Sequence, residues 1–463
     1  KIMIEEPVKS MIAELGAHLS QKEHSDIVLN NGNGKQFLIA PSEFVEIKPV
    51  DSPRKIAFVE GGDGSLEESP NFLITINRVY FSLFQGKKRI KPKANPRVQF
   101  FSSVTSNIQT INGKKTVSYD TKLFPHTTED KKFLPAESDL TSDTESTTVL
   151  QGARLNSLGR RFAEWQLAIH VVESELEKGD MIVMDGSLQT NFKNELKYAN
   201  RLYDLAQSKG VIVCGLAKTS RLITESGHPL LARVAEIAED VPFGKWHVKI
   251  AEEVSADDKG FMLAVKFHPQ SKFVFRFEIL REQFSEMSSD DLNSVLASLA
   301  ENSQDVAMLG YPYGAIDADR FAQVRRDELG MYQGFILSEK LRHPEWKRLQ
   351  EYSDAIGGLF TPKSDGSGSG GSGEESLALS ALADQMDDMF GRVMLNSIRP
   401  EVGSSPSNNL YTTIKTLASQ EDGYKTLGKN LRENDASLGT GLYKGGFTGG
   451  DRNLPLDLNL LFA

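Results

Sequence analysis

The 463-residue chain carries one cysteine, Cys214, so neither an intrachain disulfide nor a cysteine-built zinc site is available to it. Cys214 lies in the apolar run Val211-Ile-Val-Cys-Gly-Leu216 and reads as a small core residue. Long apolar runs are missing too: no stretch of about 18 residues qualifies as a membrane span. No signal-peptide pattern follows Lys1, and a soluble cytoplasmic protein is the expectation. Positive charge is short, with 53 Lys and Arg against 63 Asp and Glu and a net charge of −10. A nucleic-acid surface would therefore have to be local. What is present is enough apolar sequence, 39% of residues, for a sizeable core. The length allows two to four domains, or one large domain with insertions.

Along the chain, residues 8–20 read as a short amphipathic helix and residues 36–49 as extended. Asn31-Gly-Asn-Gly-Lys35 lacks the spacing of a phosphate-binding loop, and Gln36 stands where Ser or Thr should bind magnesium, so a turn is expected. Lys55-Ile-Ala-Phe-Val-Glu60 is a strand that should end at Gly61-Gly-Asp-Gly64, followed by a β-rich run over 71–84. Residues 85–149 begin with the basic Lys87-Lys-Arg-Ile-Lys-Pro-Lys93 and continue in Thr, Ser and Asp. They read as a flexible insertion over the surface. Residues 151–178 form a helix whose Leu155, Leu158, Phe162, Trp165, Ile169, Val172 and Leu176 mark a core face. Met181 to Met184 is continuously apolar between Gly179 and Gly186, as in a strand buried on both faces. Asp185 follows at its end. A helix over 191–209, a strand over 211–216 and the turn Ala217-Lys-Thr-Ser-Arg221 come next. This alternation predicts an α/β fold with parallel strands. Later come a helix over 228–238, a hairpin over 261–277, a helix over 289–298, and a helix opening near Gly310 and running towards Leu329.

Composition changes at Pro362. Residues 362–374 are a Gly/Ser linker, natural or an engineered join. Residues 375–463 form a C-terminal tail. Leu379, Leu382, Met386, Phe390 and Val393 suggest one amphipathic helix, and the rest is rich in Gly, Asn and Ser. The tail reads as partly disordered with partner-binding or fused segments, or else as a tail packing on its own core.

The candidate chemistry rests on acids brought together from separate elements. Asp185 alone is more readily a helix cap than a ligand. With Glu60, Glu164 and Asp319 it makes a set able to hold Mg²⁺ or Mn²⁺, which prefer oxygen ligands. Two such ions about 4 Å apart activate a water and stabilise the leaving oxygen of a phosphodiester. Asp63 is a substitute for Glu60, and Glu173 for Glu164. Lys218 is expected near Asp185, as a phosphate contact or a solvated turn lysine. Arg160 and Arg161 would contact DNA phosphates or pair with Glu164.

Four stretches, in order, resemble the NurA family of nucleases, partners of the hexameric ATPase HerA. They are Phe58-Val-Glu-Gly-Gly62, Arg160-Arg-Phe-Ala-Glu164, Met184-Asp-Gly-Ser-Leu188 and Gly310-Tyr-Pro-Tyr-Gly-Ala-Ile-Asp-Ala-Asp319. Ala217-Lys-Thr-Ser220 is similar to a further turn of that family, and the resemblance spans about residues 35–360. It implies an RNase H-like core, a mixed sheet flanked by helices, within residues 1–361. It also implies Mn²⁺- or Mg²⁺-dependent DNA cleavage with Glu60, Glu164, Asp185, Tyr311 and Asp319 at the site. A homodimer, 5′–3′ exonuclease and single-strand endonuclease activity, a HerA-like motor, and a role in DNA end resection, repair or antiviral defence are implied as well. Two positions depart from the family pattern: Glu60 replaces its usual Asp, and Asp319 replaces a frequent His.

Two other readings remain. One is a catalytically weak or inactive adaptor that guides DNA to the motor. The other is a nuclease of the PD-(D/E)xK type, against which no clean acid-x-Lys strand is found. The composition break generates a prediction for the tail. Removing residues 375–463 should leave cleavage of short free DNA unchanged in a nuclease assay, and loss of cleavage would assign the tail to the core.

Overall fold

A computed structural model describes residues 5–19 and 39–346, apart from 53, 70, 112–113, 141–154, 156, 225–226, 253–257, 306–307 and 344–345. The Asn31 turn, the Thr-rich 141–149 tract, the linker and the tail lie outside the described residues. Two compact units divide after Val324.

The elements of the first unit, in order, are α1 (Glu5–Leu19), β1 (Val45–Glu46), β2 (Lys55–Ser69), β3 (Phe72–Gln85), β4 (Lys88–Arg89), β5 (Arg97–Ile111) and β6 (Lys114–Pro125). Next come α2 (Leu158–Ser174), β7 (Met181–Asp185), α3 (Glu195–Lys209), β8 (Ile212–Ala217), α4 (Leu230–Ile237), β9 (Trp246–Ala251), β10 (Gly260–Lys266) and β11 (Phe275–Leu280). The unit ends with α5 (Arg281–Glu286), α6 (Ser289–Glu301) and α7 (Tyr313–Ala322). The second unit contributes α8 (Arg326–Arg342). Among the described residues no helix is long and apolar enough to cross a membrane.

One mixed sheet runs β1-β9-β10-β11-β8-β7-β2-β3-β5-β6, with β4 beside β3. Its centre, β5-β3-β2-β7-β8, is an antiparallel meander (β2, β3, β5) joined to two strands parallel to β2. That order and polarity define an RNase H-like α/β core. β11 then pairs antiparallel with β8 and extends the sheet through β10 and β9.

Both faces of the central strands are covered, which explains the unbroken apolar run at 181–184. Ile182 and Met184 join Ala57, Val59, Val213 and the apolar stripes of α2 and α3. Met181 and Val183 turn the other way, to Ile56, Phe58, Cys214, Leu216 and the inner residues of α6 and α7. α6 starts at a capping box in which Ser288 and Asp291 satisfy each other's backbone N–H groups.

Three expectations change. The Gly61–Gly64 stretch is not a turn, because β2 continues to Ser69 paired with β3. Its glycines serve close approach instead: a Cβ on Gly61 would strike the Glu164 carboxylate, and one on Gly62 would strike the Ala322 carbonyl. The 85–149 insertion is not a surface excursion throughout. β5 and β6 form a long hairpin that extends the sheet from β3. Residues 310–329 are not one helix, since α7 stops at Ala322 and Gln323 is extended.

α7 packs so closely on β2 that Gly314 faces the Phe58 ring with no room for a Cβ. Gly314→Ala is expected to destabilise the protein by about 1–3 kcal/mol. Gly16→Ala, in open surroundings on α1, should be neutral or stabilising by up to about 1 kcal/mol. Denaturant midpoints of the two variants check this, and equal midpoints would contradict the packing described.

Candidate active site

Strand alternation decides which side chains meet. Ile56 and Phe58 face α6 and α7 while Ala57 and Val59 face α2 and α3, so Glu60 faces α7. The same count places Asp185 on the α7 side after Val183, and Lys218 there after Leu216. Register aligns them: Val59 pairs with Met184, and Asp185 with Leu216. Three charged side chains thus leave the same end of three adjacent parallel strands, on one face. Glu60 lies within β2 rather than at its end; what stops there is the pairing with β7.

The Lys218 ammonium sits among three carboxylates. Its Nζ is 2.7 Å from Glu60 Oε2, 2.7 Å from Asp319 Oδ1 and 3.6 Å from Asp185 Oδ1. Burial opposes its charge, but Asp185 and Glu60, with the hydrogen bonds to Asp319 and Glu60, hold it above the usual lysine range. Burial and then Asp185 push the Glu60 carboxyl up to about 8, although Lys218 offsets part of this. Tyr311 is buried beside the cluster, and burial followed by Asp185, Glu60 and Asp319 drives its phenol upward. Tyr311, Glu60 and Asp185 share a cavity of about 10 Å³ with Phe58, Leu216 and Ala315 among others, near the smallest size that admits one water.

Glu164 reaches the same end of the sheet from the opposite face. It lies against Gly61 and is grasped by Arg160 Nη1 and, at 3.0 Å, by Arg161 Nη1. Arg160 also donates to Asp63 at 2.7 Å, which occupies the proposed substitute for Glu60. Glu173 is exposed further along α2. Asp317, the other acid of α7, pairs with Arg89 at 3.0 Å. Arg160 and Arg161 are therefore engaged by carboxylates. Both line an open cleft of about 560 Å³ with Ser157, Glu164, Asp185, Ser187, Asn191 and Phe192. Asp185 borders both the small cavity and the cleft.

Two supporting networks were not read from the sequence. The fully buried Glu195 accepts from Arg161 Nε and Trp165 Nε1, each at 2.8 Å, and from the backbone N–H groups of Asn191 and Phe192 at 2.6 and 3.0 Å. Arg276 bridges the buried Asp258 and Glu278, and Glu278 Oε2 accepts from Leu188 N at 2.7 Å. The second network had a signal: Phe275-Arg-Phe-Glu-Ile279 places Arg and Glu on one face of an otherwise apolar strand.

Among the described residues, no three His, Cys, Asp or Glu side chains converge closely enough to hold an ion as they stand. The donor set nevertheless suits a hard divalent ion. Three carboxylates already surround one cationic centre.

No family model matches the chain, and no curated protein sequence matches it. Among solved structures it is similar to the NurA nuclease from Sulfolobus solfataricus, at 12% identity and a TM-score of 0.40, over 75% of this chain and 96% of that one. It is also similar to Ciona intestinalis Endonuclease V in complex with an inosine-containing DNA, at 10% identity and a TM-score of 0.29, over 69% and 98%. The catalytic domain of human Endonuclease V gives 10% and 0.29, over 68% and 93%.

Burial pushes the Glu278 carboxyl up to about 7, with Arg276 opposing and Asp258 adding to the rise. The folded value exceeds the ordinary 4.5, so between the two the folded state holds more protons and stability falls as pH rises. Glu278→Gln should shrink the difference in urea midpoint between about pH 5 and about pH 7.5. An unchanged difference would place that slope on other groups.

Proposed function

We propose that the chain is a divalent-metal-dependent DNA nuclease that hydrolyses phosphodiester bonds. The observation that carries this reading is the convergence on one cation position of Glu60 from β2, Asp185 from the end of β7 and Asp319 from α7, with Asp185 also bordering an open polar cleft. Those three residues would hold Mn²⁺ or Mg²⁺, which supplies Lewis-acid activation of water and charge neutralisation at phosphorus.

The chain's own residues set the geometry. Asp185, on the rigid end of β7, is where a phosphodiester lying in the cleft meets the carboxylate cluster. Tyr311 closes the inner side and keeps bulk water from Glu60. Arg161, locked by Glu164 and Glu195, positions Glu164 and the loop that carries Asn191 and Phe192. Arg160 does the same between Asp63 and Glu164. With their charges balanced by acids, the arginines shape the cleft wall more than they attract phosphate, which leaves the acidic chain dependent on a local field or a partner for DNA affinity.

The finer attributes rest on the sequence resemblance to the NurA family: 5′–3′ exonuclease and single-strand endonuclease activity, a homodimer, a HerA-like ATPase that feeds DNA, and service in end resection, repair or antiviral defence. One observation favours the second reading, a non-cleaving adaptor: Lys218 already neutralises part of the cluster.

A cleavage assay on single- and double-stranded DNA with Mn²⁺ separates the two. The enzyme reading expects cleavage that chelation abolishes and that Asp185→Asn and Glu60→Gln each lower by on the order of 100-fold or more. DNA binding without cleavage, with or without the motor, supports the adaptor. Full activity in Asp185→Asn would remove the site assignment.

A further inference from the structure

An acidic chain that binds DNA needs a local source of positive charge, and Arg160 and Arg161 are taken by Asp63, Glu164 and Glu195. We propose that residues 87–97, with Arg320 of α7 beside them, bind a nucleic-acid backbone and guide it to the Glu60 cluster, an inference that rests on the nuclease reading above.

Residues 87–97 hold six cations and no acid, in a chain whose net charge is −10. Lys87, Lys88, Arg89, Lys91 and Lys93 are exposed, and Arg97 is half-buried. Arg89 pairs with Asp317, whereas among the described residues Lys87, Lys88 and Lys91 form no ion pair. The backbone beneath these charges is ordered. β4 pairs with the end of β3, Ile90 N donates to Leu83 O at 2.7 Å, and Phe81 N donates to Pro96 O at 3.0 Å. The buried Glu175 accepts from the backbone N–H groups of Lys93 and Ala94 at 2.8 and 2.9 Å. A segment already ordered loses little backbone entropy when a polyanion binds.

The course of the segment leads to the site. It runs back along β3 and enters β5 at Arg97, the register partner of Tyr80, which is itself the partner of Glu60. Val98 turns to α2, so Arg97 faces the α7 side, as Tyr80 does. Glu60, Tyr80 and Arg97 therefore form one row across three neighbouring strands. At about 4.8 Å a strand the row spans about 10 Å, or about three phosphates of a DNA strand at about 3.4 Å each. Arg89 joins it from β4, donating to Tyr80 Oη at 2.7 Å. Phe321 stacks on Tyr80 with ring centroids 5.1 Å apart, and the guanidiniums of Arg89 and Arg320 lie 5.3 and 6.0 Å from its ring. An aromatic pair thus supports two cations at the surface. Asp317 and Asp319, two residues apart on α7, point to opposite sides: Asp317 pairs with Arg89, and Asp319 with Lys218. The basic patch and the carboxylate cluster accordingly flank one helix.

The test measures the affinity of the full chain for a fluorescein-labelled oligothymidylate by anisotropy across a potassium chloride series, in EDTA so that no cleavage intervenes. Lys88→Gln/Lys91→Gln alters only exposed side chains. It should weaken binding about tenfold at low salt and flatten the slope of log affinity against log salt by about 1. Lys249→Gln/Lys272→Gln makes the same charge change at exposed lysines on β9 and between β10 and β11, and should bind as wild type does. Cleavage with Mn²⁺ is read alongside. The patch variant should raise KM for a long oligonucleotide and leave hydrolysis of bis(p-nitrophenyl) phosphate, too small to reach the patch, unchanged. Equal affinity in wild type and patch variant, or an equal loss in the control pair, would overturn the proposal, and persistent cleavage would leave the nuclease reading standing. Polyglutamate or phosphatidylserine vesicles bound through Lys88 and Lys91, with no oligonucleotide bound, would overturn it as well. Oligonucleotide binding lost in the patch variant, while wild type cleaves neither substrate, would uphold the patch and overturn the nuclease reading.

Discussion

Three carboxylates placed together at the end of a sheet repel one another unless a cation joins them, and here the Lys218 ammonium does so. Much of the first unit can be understood as what that arrangement requires. Parallel pairing brings the ends of β7 and β8 level with Glu60 in the middle of β2, and the two-residue repeat of each strand sends Glu60, Asp185 and Lys218 to the same face. Apolar packing of α6 and α7 on that face brings Asp319 to the rim and Tyr311 beneath. Burial, and after it the Asp185 charge, raises the Glu60 carboxyl in that cluster, with Lys218 opposing.

The opposite face shows the same logic with arginine in place of lysine. Glu164, Asp63 and Glu195 share Arg160 and Arg161, so five charged groups form one connected network along α2. Breaking one partner of a buried network exposes the others to an uncompensated charge. Beneath the loop after Asp185, the Asp258–Arg276–Glu278 group holds Leu188 by its backbone. The two networks fix both ends of residues 186–192, the segment that supplies Ser187, Asn191 and Phe192 to the cleft wall.

The sequence made some of this legible. The apolar run 181–184 between glycines could only be a doubly covered strand, and the spacing of Leu158, Phe162, Trp165, Ile169 and Val172 gave the core face of α2. The resemblance grouped Glu60, Glu164, Asp185 and Asp319; the fold gathers Glu60, Asp185 and Asp319 around Lys218 and leaves Glu164 with Arg160 and Arg161. Other features were hidden for physical reasons. Glycines at 61 and 62 imitate a turn, but their purpose, room for Glu164 and for the end of α7, exists only after the helices pack. The β5–β6 hairpin has one face towards solvent, with Thr105, Asn107 and Asp120 exposed, so its composition matches that of a loop. Lys218 could be placed near Asp185 from its strand, but not among three acids, because Asp319 arrives from a helix a hundred residues further on. The arginines of α2 were open to either partner: helix spacing offers both to Glu164, but Asp63 and Glu195 reach them only through packing.

A divalent ion held by Glu60, Asp185 and Asp319 is the central claim in structural form. Anomalous diffraction from crystals of the full chain soaked in Mn²⁺ addresses it most directly. The account predicts an anomalous peak among the carboxylates of Glu60, Asp185 and Asp319. A peak elsewhere, or no peak at these carboxylates while the protein still cleaves DNA, would contradict it.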